Sequence, residues 1–414
     1  MTETLTISHI GGQGDGVART DRGPVYAPLT LPGETVQATV RDGRAEDVRI
    51  LTPSADRIAP VSPQYGDCGG CSLQHWAAAP YLDWKRDQVR LALAREGIET
   101  EIEPTVATPP GSRRRLALHA RRGPDGRAIL GFKARRSWRL VPISACPVAD
   151  PRLVAAIPAL KAVAEAVLEH PKSAPSLHVT WTLDGLDVDV TGVERRSGGL
   201  SRDAQMRAIG AAADADLARL SLAGETLVMA RQPRVAFGPA VVPLPAGGFL
   251  QAVPQAEAAM VDRAVAAVQG AKRIADLFCG AGTFTFPLAT VAPVLAADAS
   301  EAGIRALKAG VASASGLKPI TAQARDLFRR PFSPVDLKGC DAVVFDPPRA
   351  GAAEQSAQIA QSGAAVVVGV SCNPTTFARD ARILIDAGFG LERVTPVDQF
   401  LWSGHVELVG VFRR

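Results

Sequence analysis

From about residue 249 onward, short apolar runs alternate with stretches of helical character: RIADLF, VLAAD, PITAQ, DAVVFD and AAVVVGV. A strand buried on both faces reads as a continuous apolar run, and strands that alternate with helices pair in parallel through crossover connections. The pattern predicts a doubly wound, Rossmann-like sheet over residues 249–414, with LERVTPVDQF and HVELVGVF as two terminal strands. Such a sheet binds ligands at the carboxyl ends of its strands. Residues just after each apolar run are therefore the first candidates for chemistry.

At 414 residues the chain exceeds what one core organises, so further domains are expected. Residues 4–52 carry short strands with glycine turns, which predicts an OB-like barrel over residues 1–57. Pro53 to Pro63 reads as a linker. Cys68-Gly-Gly-Cys71 follows, then a helical stretch around Tyr81–Gly97. Strand patterns return from Arg114 to Val141, with Gly123-Pro124-Asp125-Gly126 as a turn, and an alanine-rich helix over 151–169 precedes a strand region at 177–193. These define a central α+β domain over residues 58–248, of which residues 80–111 are a segment that can pack on the C-terminal domain instead.

No apolar run is long enough to span a membrane, and the N-terminus lacks a secretory pattern, so a cytoplasmic address is expected. Six cysteines in that setting read as reduced thiols, ligands or nucleophiles rather than disulfides. Between Arg113 and Arg139 ten Lys or Arg face one acid, Asp125. That segment carries +9, and against a total of +4 the remainder of the chain holds −5. The run is either a polyanion-binding face or a solvated hairpin.

Asp276-Leu-Phe-Cys-Gly280-Ala-Gly282 follows the first strand of the α/β domain, and a helix is expected from about Thr283. Glycines there let the backbone approach a ligand closely. The second strand ends in Asp298, which suits the ribose hydroxyls of a nucleoside, although both Asp276 and Asp298 also fit helix caps. The same features serve a dinucleotide. Two observations favour S-adenosylmethionine: Thr285 stands where the third glycine of a dinucleotide fingerprint belongs, and Asp346-Pro-Pro-Arg349 ends the fourth strand. Ser371-Cys372-Asn373-Pro374 ends the next one, with Pro374 starting a helix whose dipole favours a thiolate at Cys372. On the penultimate strand, alternation puts His405 and Glu407 on one face, with Glu407 either a catalytic base or an edge charge.

Together DLFCGAGTFTFPLA (276–289), DPPRAG (346–351), SCNPTTFARD (371–380) and DQFLWSGHVE (398–407) resemble the RNA 5-methyluridine methyltransferase family over nearly the whole chain. The resemblance implies Cys372 as nucleophile at carbon 6 of uracil, a low-pKa thiol, and Glu407 as base. It implies Gln251, Asp276, Phe278, Gly280, Gly282, Asp298 and Asp346 at S-adenosylmethionine, with Asp346 also near the target base. It further implies a TRAM-type RNA-binding barrel, a monomer, and RNA as partner. Ribosomal RNA is implied over transfer RNA, because the family's transfer-RNA enzymes generally lack that barrel. A 4Fe–4S cluster is implied at Cys68, Cys71 and Cys146, with Ser62 in place of the first cysteine. Two further departures are Val253 for the usual Asn and Leu401 for the usual Pro, while Ser403 keeps a hydroxyl. Competing readings are a transfer-RNA uridine enzyme, an amino-directed methyltransferase, and an inactive RNA-binding iron–sulfur protein; Arg349 in the aromatic position argues against the second, and intact Cys372 and Glu407 against the third.

Overall fold

Alternating apolar and polar residues close the first fifty positions into a barrel. The computed structural model describes residues 2–170, 172–193 and 199–414. In it β1 (Thr2–Ile10), β2 (Gly16–Thr20), β3 (Gly23–Ala27), β4 (Thr35–Arg41) and β5 (Arg44–Thr52) pair in the order β1-β2-β3-β5-β4, and β4 returns to β1. Leu5, Ile7, Val25, Val36 and Ala38 fill the interior, and closure leaves no open edge. The stretch expected as a linker is anchored to the barrel. Arg57 forks onto the fully buried Glu34 at 2.5 and 2.9 Å.

After α1 (Ala78–Arg95) and the short β6 (Glu101–Ile102) comes the central sheet. Its strands are β7 (Arg115–Arg122), β8 (Ala128–Lys133), β9 (Leu140–Pro142), β10 (Ser176–Thr182), β11 (Gly185–Thr191), β12 (Leu217–Leu222) and β13 (Glu225–Met229), ordered β13-β12-β11-β10-β7-β8-β9. The helix expected over 151–169 is two, α2 (Pro151–Ala155) and α3 (Ile157–Val167), because Pro158 in the first turn restarts it. With α4 (Arg202–Asp214), they share a core with the sheet around Leu118, Leu153, Val163 and Val188. The basic run is only partly a solvated face. Arg114 pairs with Glu257 at 2.6 Å, and Arg115 donates to the carbonyls of Leu250 and Gly248. These guanidiniums staple the central sheet to the segment that opens the C-terminal domain.

A hairpin of β14 (Arg234–Phe237) and β15 (Ala240–Pro243) leads into the catalytic half and already packs in its core through Phe237 and Val242. There follow α5 (Pro254–Ala267), β16 (Ile274–Leu277), α6 (Thr285–Leu288), β17 (Val294–Asp298), α7 (Glu301–Val311), β18 (Ile320–Ala324), β19 (Ala342–Phe345), α8 (Ala353–Ala360), β20 (Val366–Ser371), α9 (Pro374–Asp386), β21 (Gly390–Val397) and β22 (Glu407–Arg413). The sheet runs β18-β17-β16-β19-β20-β22-β21-β6, parallel except where β22 pairs antiparallel with β20 and β21. Strand order reverses between β16 and β19, which is where such a sheet opens a crevice. The early strand β6 adds to β21, so the segment carrying α1 is built into the edge of the late sheet.

The tightest tie between these halves is ionic. Lys85 of α1 meets Asp398 at 2.9 Å, and both side chains have 0% exposure. Lys85 also donates to the carbonyls of Phe400 and His405. Around the pair Ile10 and Leu31 of the barrel, Leu73, Trp76, Tyr81 and Trp84, and Leu401 and Trp402 form one apolar cluster, which gives Leu401 its place. Among the described residues no helix is long and apolar enough to cross a membrane. Removing one partner of a buried pair strands the other charge. Lys85→Met is therefore expected to cost about 3–5 kcal/mol in urea unfolding, and Lys85→Met/Asp398→Leu to recover most of it.

Candidate active site

Strand β16 ends in Leu277, and the next residue, Phe278, holds φ at 63°, a left-handed conformation that costs a non-glycine residue about 1–3 kcal/mol. That bend turns the chain into the glycine loop. The Gly280 N–H donates to Asp298 Oδ2 at 2.9 Å, and the Ser300 N–H to Asp298 Oδ1 at 2.7 Å, so the end of β17 fixes the loop. At Gly282, with φ of 106°, a Cβ would stand 2.5 Å from the Phe286 ring, so only glycine lets α6 pack here. The loop borders a cavity of about 470 Å³ lined by Gln251, Phe278, Gly280, Asp298, Asp346, Cys372 and Glu407. Phe278 and Phe328 meet there with centroids 5.5 Å apart.

Two expected cofactor contacts stand behind this wall. Asp276 is 1% exposed and accepts the Thr285 hydroxyl at 2.5 Å, with its other oxygen unpartnered. Burial, then the charges of Asp346 and Asp298, lift it to about 7. Asp276 and Gly282 shape the cavity without lining it.

Register brings Cys372 and Glu407 together. Ser371 pairs with Leu408 across β20 and β22, so Cys372 and Glu407 are adjacent at the carboxyl edge of the sheet. Asn373 caps α9, its side chain accepting the Thr375 N–H at 3.1 Å and donating to the Arg349 carbonyl at 3.1 Å. The loops after β19 and β20 are thereby stitched together. A buried amide relay then runs across the floor: Gln399 Nε2 donates to Glu407 at 3.1 Å and to Gln251 Oε1 at 2.8 Å, and Gln251 Nε2 donates to Asp346 at 3.1 Å. Gln399 was not among the expected site residues; its only sequence signal is its place in the last motif.

Three carboxylates around one cavity set its electrostatics. Burial, then Asp346, raises Glu407 to about 8, against the Gln399 hydrogen bond and the Arg349 and Lys85 charges. Burial lifts Asp346 to about 7. Burial, then Glu407 and Asp346, pushes Cys372 up to about 11, Arg349 opposing. The expectation of a low-pKa thiol is corrected accordingly. The α9 N-terminus is present, but in the free protein burial, with the Glu407 and Asp346 charges, outweighs it. His405 also departs from expectation. It precedes the last strand rather than sharing a penultimate one with Glu407, and it lies outside the cavity that Glu407 lines.

His405 instead borders a second cavity, a groove of about 910 Å³ between the barrel loop Gly11–Gln13, the tip of the β8–β9 turn and Cys372. Arg95, Lys133, Arg135, Arg136 and Arg349 line it, and among the described residues no carboxylate does. Cys372 and Arg349 belong to both cavities. A third cavity, of about 360 Å³, is lined by Ser62, Cys68, Cys71 and Cys146. Burial, then Cys146 and Cys68, pushes Cys71 up to about 12. Among the described residues no three His, Cys, Asp or Glu side chains converge as a ready-made site for a metal ion.

A family model described as tRNA (Uracil-5-)-methyltransferase matches residues 241–414. An RNA methyltransferase of Caulobacter vibrioides is 65% identical over 100% of both chains. The 23S rRNA (uracil(1939)-C(5))-methyltransferase of Halomonas elongata is 34% identical, over 97% of this chain and 88% of that one. The solved tRNA (uracil-54, C5)-methyltransferase of Pyrococcus abyssi shares the fold, with a TM-score of 0.76 over 99% of each chain at 22% identity.

A carboxyl raised in the folded state contributes stability that is complete below its ordinary value, 4.5 for Glu407, and is lost as pH climbs through about 8. Glu407→Gln removes that loss. Its Tm is expected to exceed the parent's by several degrees at about pH 9, with the gap closing towards about pH 4, in paired thermal melts.

Proposed function

Because this chain belongs to the S-adenosylmethionine-dependent RNA (uracil-C5) methyltransferase family, we propose that it methylates carbon 5 of a uridine in large-subunit ribosomal RNA, with Cys372 as nucleophile and Glu407 as base. The observation that carries this reading is the position of Cys372 in the wall common to an acidic cavity and a basic groove. The groove suits a phosphate backbone and the acidic cavity a cationic cofactor. The ribosomal target rests on the Halomonas relative. The barrel does not discriminate, since the Pyrococcus transfer-RNA enzyme has the same architecture over 99% of this chain.

S-adenosylmethionine, when bound, supplies the electrophilic methyl group and a positive charge among Asp298, Asp346 and Glu407. Phe278, Gly280, Asp298 and Gln251 line its place, with Asp276 and Gly282 supporting them. A cation there favours the ionised forms of Cys372 and Glu407, which the free protein holds back. The Cys372 sulfur adds to carbon 6 of a flipped or unstacked uracil, and the resulting enolate gives carbon 5 its nucleophilic character. After methyl transfer Glu407 takes the carbon 5 proton, and the carbon 6–sulfur bond breaks as the ring double bond returns. Gln399, bonded to both Glu407 and Gln251, orients the base against the cofactor end of the cavity.

We further propose that Cys68, Cys71 and Cys146, which share one cavity with Ser62 although they do not converge as a ready-made site, would draw together to hold a 4Fe–4S cluster. Domain limits near residue 57 and at the start of the β14–β15 hairpin, which packs in the C-terminal core, with residues 80–111 packed on the catalytic domain, complete the reading.

Purified protein, tritiated S-adenosylmethionine and unmodified ribosomal or transfer RNA test the reaction. Label in 5-methyluridine of large-subunit RNA is expected, abolished by Cys372→Ala. Glu407→Gln is expected to accumulate a covalent RNA adduct stable to denaturing gels. Label surviving Cys372→Ala would sink the covalent mechanism, and label only in transfer RNA would replace the target. For the cluster, anaerobically purified protein is expected to carry iron and acid-labile sulfide in equal amounts, lost in Cys71→Ala; parent protein free of both overturns that assignment.

A further inference from the structure

Five tryptophans occur in the chain, and one is displayed. Trp76 and Trp84 are buried, whereas Trp138 is 82% exposed at the tip of the β8–β9 turn. A large aromatic left in water on a basic loop is a stacking platform in want of a base. We propose that Trp138 stacks a nucleobase of the single-stranded RNA whose neighbouring uridine enters at Cys372, an inference that rests on the RNA methyltransferase reading.

The mounting of the ring supports this. The turn is closed by the Ala134 N–H on the Arg139 carbonyl at 2.7 Å and by the Ser137 N–H on the Ala134 carbonyl at 3.1 Å. Its base is tied to the cysteine loop, where the Gly69 N–H donates to the Lys133 carbonyl at 3.0 Å. Its flank is clamped to the barrel by Arg135 and Arg136, which both bind the buried carboxylate of Asp15. Lys133 Nζ lies 4.0 Å from the ring centroid and occupies one face of Trp138, leaving the other for a ligand. A platform fixed this way orders few side chains when it binds.

Chemistry selects the occupant. Arg139, next to Trp138 in the chain, makes a solvent-exposed pair with Asp67 at 3.1 Å, and Lys133, Arg135 and Arg136 line the groove shared with Cys372, where no carboxylate lies among the described residues. Cations in a line beside an aromatic face fit a phosphate chain with unstacked bases, whereas a duplex buries its base faces. Because stacking is indifferent to base identity, the platform contributes affinity and register and leaves the choice of target to the site itself.

The test is a fluorescence titration of the intact protein with a single-stranded oligouridylate and with a duplex RNA, for the parent, Trp138→Ala and Trp138→Phe. Base–aromatic stacking of about 1–3 kcal/mol corresponds to roughly 5- to 150-fold in affinity. Trp138→Ala is therefore expected to bind the single strand at least five-fold more weakly, with an unchanged Tm, while Trp138→Phe retains most of the affinity. Quenching on binding the single strand is expected in the parent and lost in both variants. In methyl transfer, Trp138→Ala is expected to raise KM for RNA and leave kcat alone. Equal single-strand affinity in parent and Trp138→Ala overturns the proposal whatever the methylation assay shows. Self-association that Trp138→Ala abolishes also overturns it, by assigning the ring to a second copy. Normal stacking behaviour without methyl transfer counts against the uracil-C5 reading alone.

Discussion

The ion pair between Lys85 and Asp398 is the constraint on which the site hangs. Its partners are 313 positions apart, and both are withdrawn from water. At such depth a charge is tolerated only with a close counter-charge and further hydrogen bonds, so Lys85 takes the Asp398 carboxylate and the carbonyls of Phe400 and His405 together. Asp398 sits next to Gln399, and His405 two residues before Glu407. Fixing those backbone positions fixes both ends of the strip that carries Gln399 and Glu407. The same strip offers Leu401 and Trp402 to the apolar cluster where the barrel docks. One buried cation thus sets the catalytic strip and the barrel in register.

Charge is sorted by compartment around Cys372. On one side Asp298, Asp346 and Glu407 face a cavity with Arg349 as its cation; on the other, five cations line a groove without an acid. Asp346 and Glu407 answer their burial with raised affinities for protons, and burial, joined by those two charges, raises the Cys372 thiol as well. A positive ligand relieves that frustration and a neutral one does not.

Arginines do two kinds of work in the hairpin that the sequence marks as basic. Arg114 and Arg115 turn inward to Glu257 and to the carbonyls of Gly248 and Leu250, where a planar fork of donors satisfies backbone that has no strand partner. Arg135 and Arg136 bracket Asp15 and join the turn to the barrel. What remains for an external polyanion is narrower than the run of charges suggests, and it lies along the groove.

Much of this was legible in the residues themselves. Alternating apolar runs determined the doubly wound sheet, because strands buried on both faces and spaced by helices have few other ways to pack. The short early strands determined the barrel. Motifs at strand ends determined that Gly280, Asp298, Asp346, Cys372 and Glu407 would gather, since the carboxyl edge of a parallel sheet collects them whatever the loop details. Only the tertiary structure decided that Asp276 lies behind the cavity against Thr285, that Gln399 links Glu407 to Gln251, that β6 completes the late sheet, and that His405 faces the groove. Each depends on contacts between residues far apart in the chain, or on which way a side chain turns at the end of a strand. The protonated state of Cys372 belongs there too. A helix N-terminus can be read from Asn373-Pro374, but the burial that outweighs it, and the Glu407 and Asp346 charges that add to it, exist only once the sheet is folded.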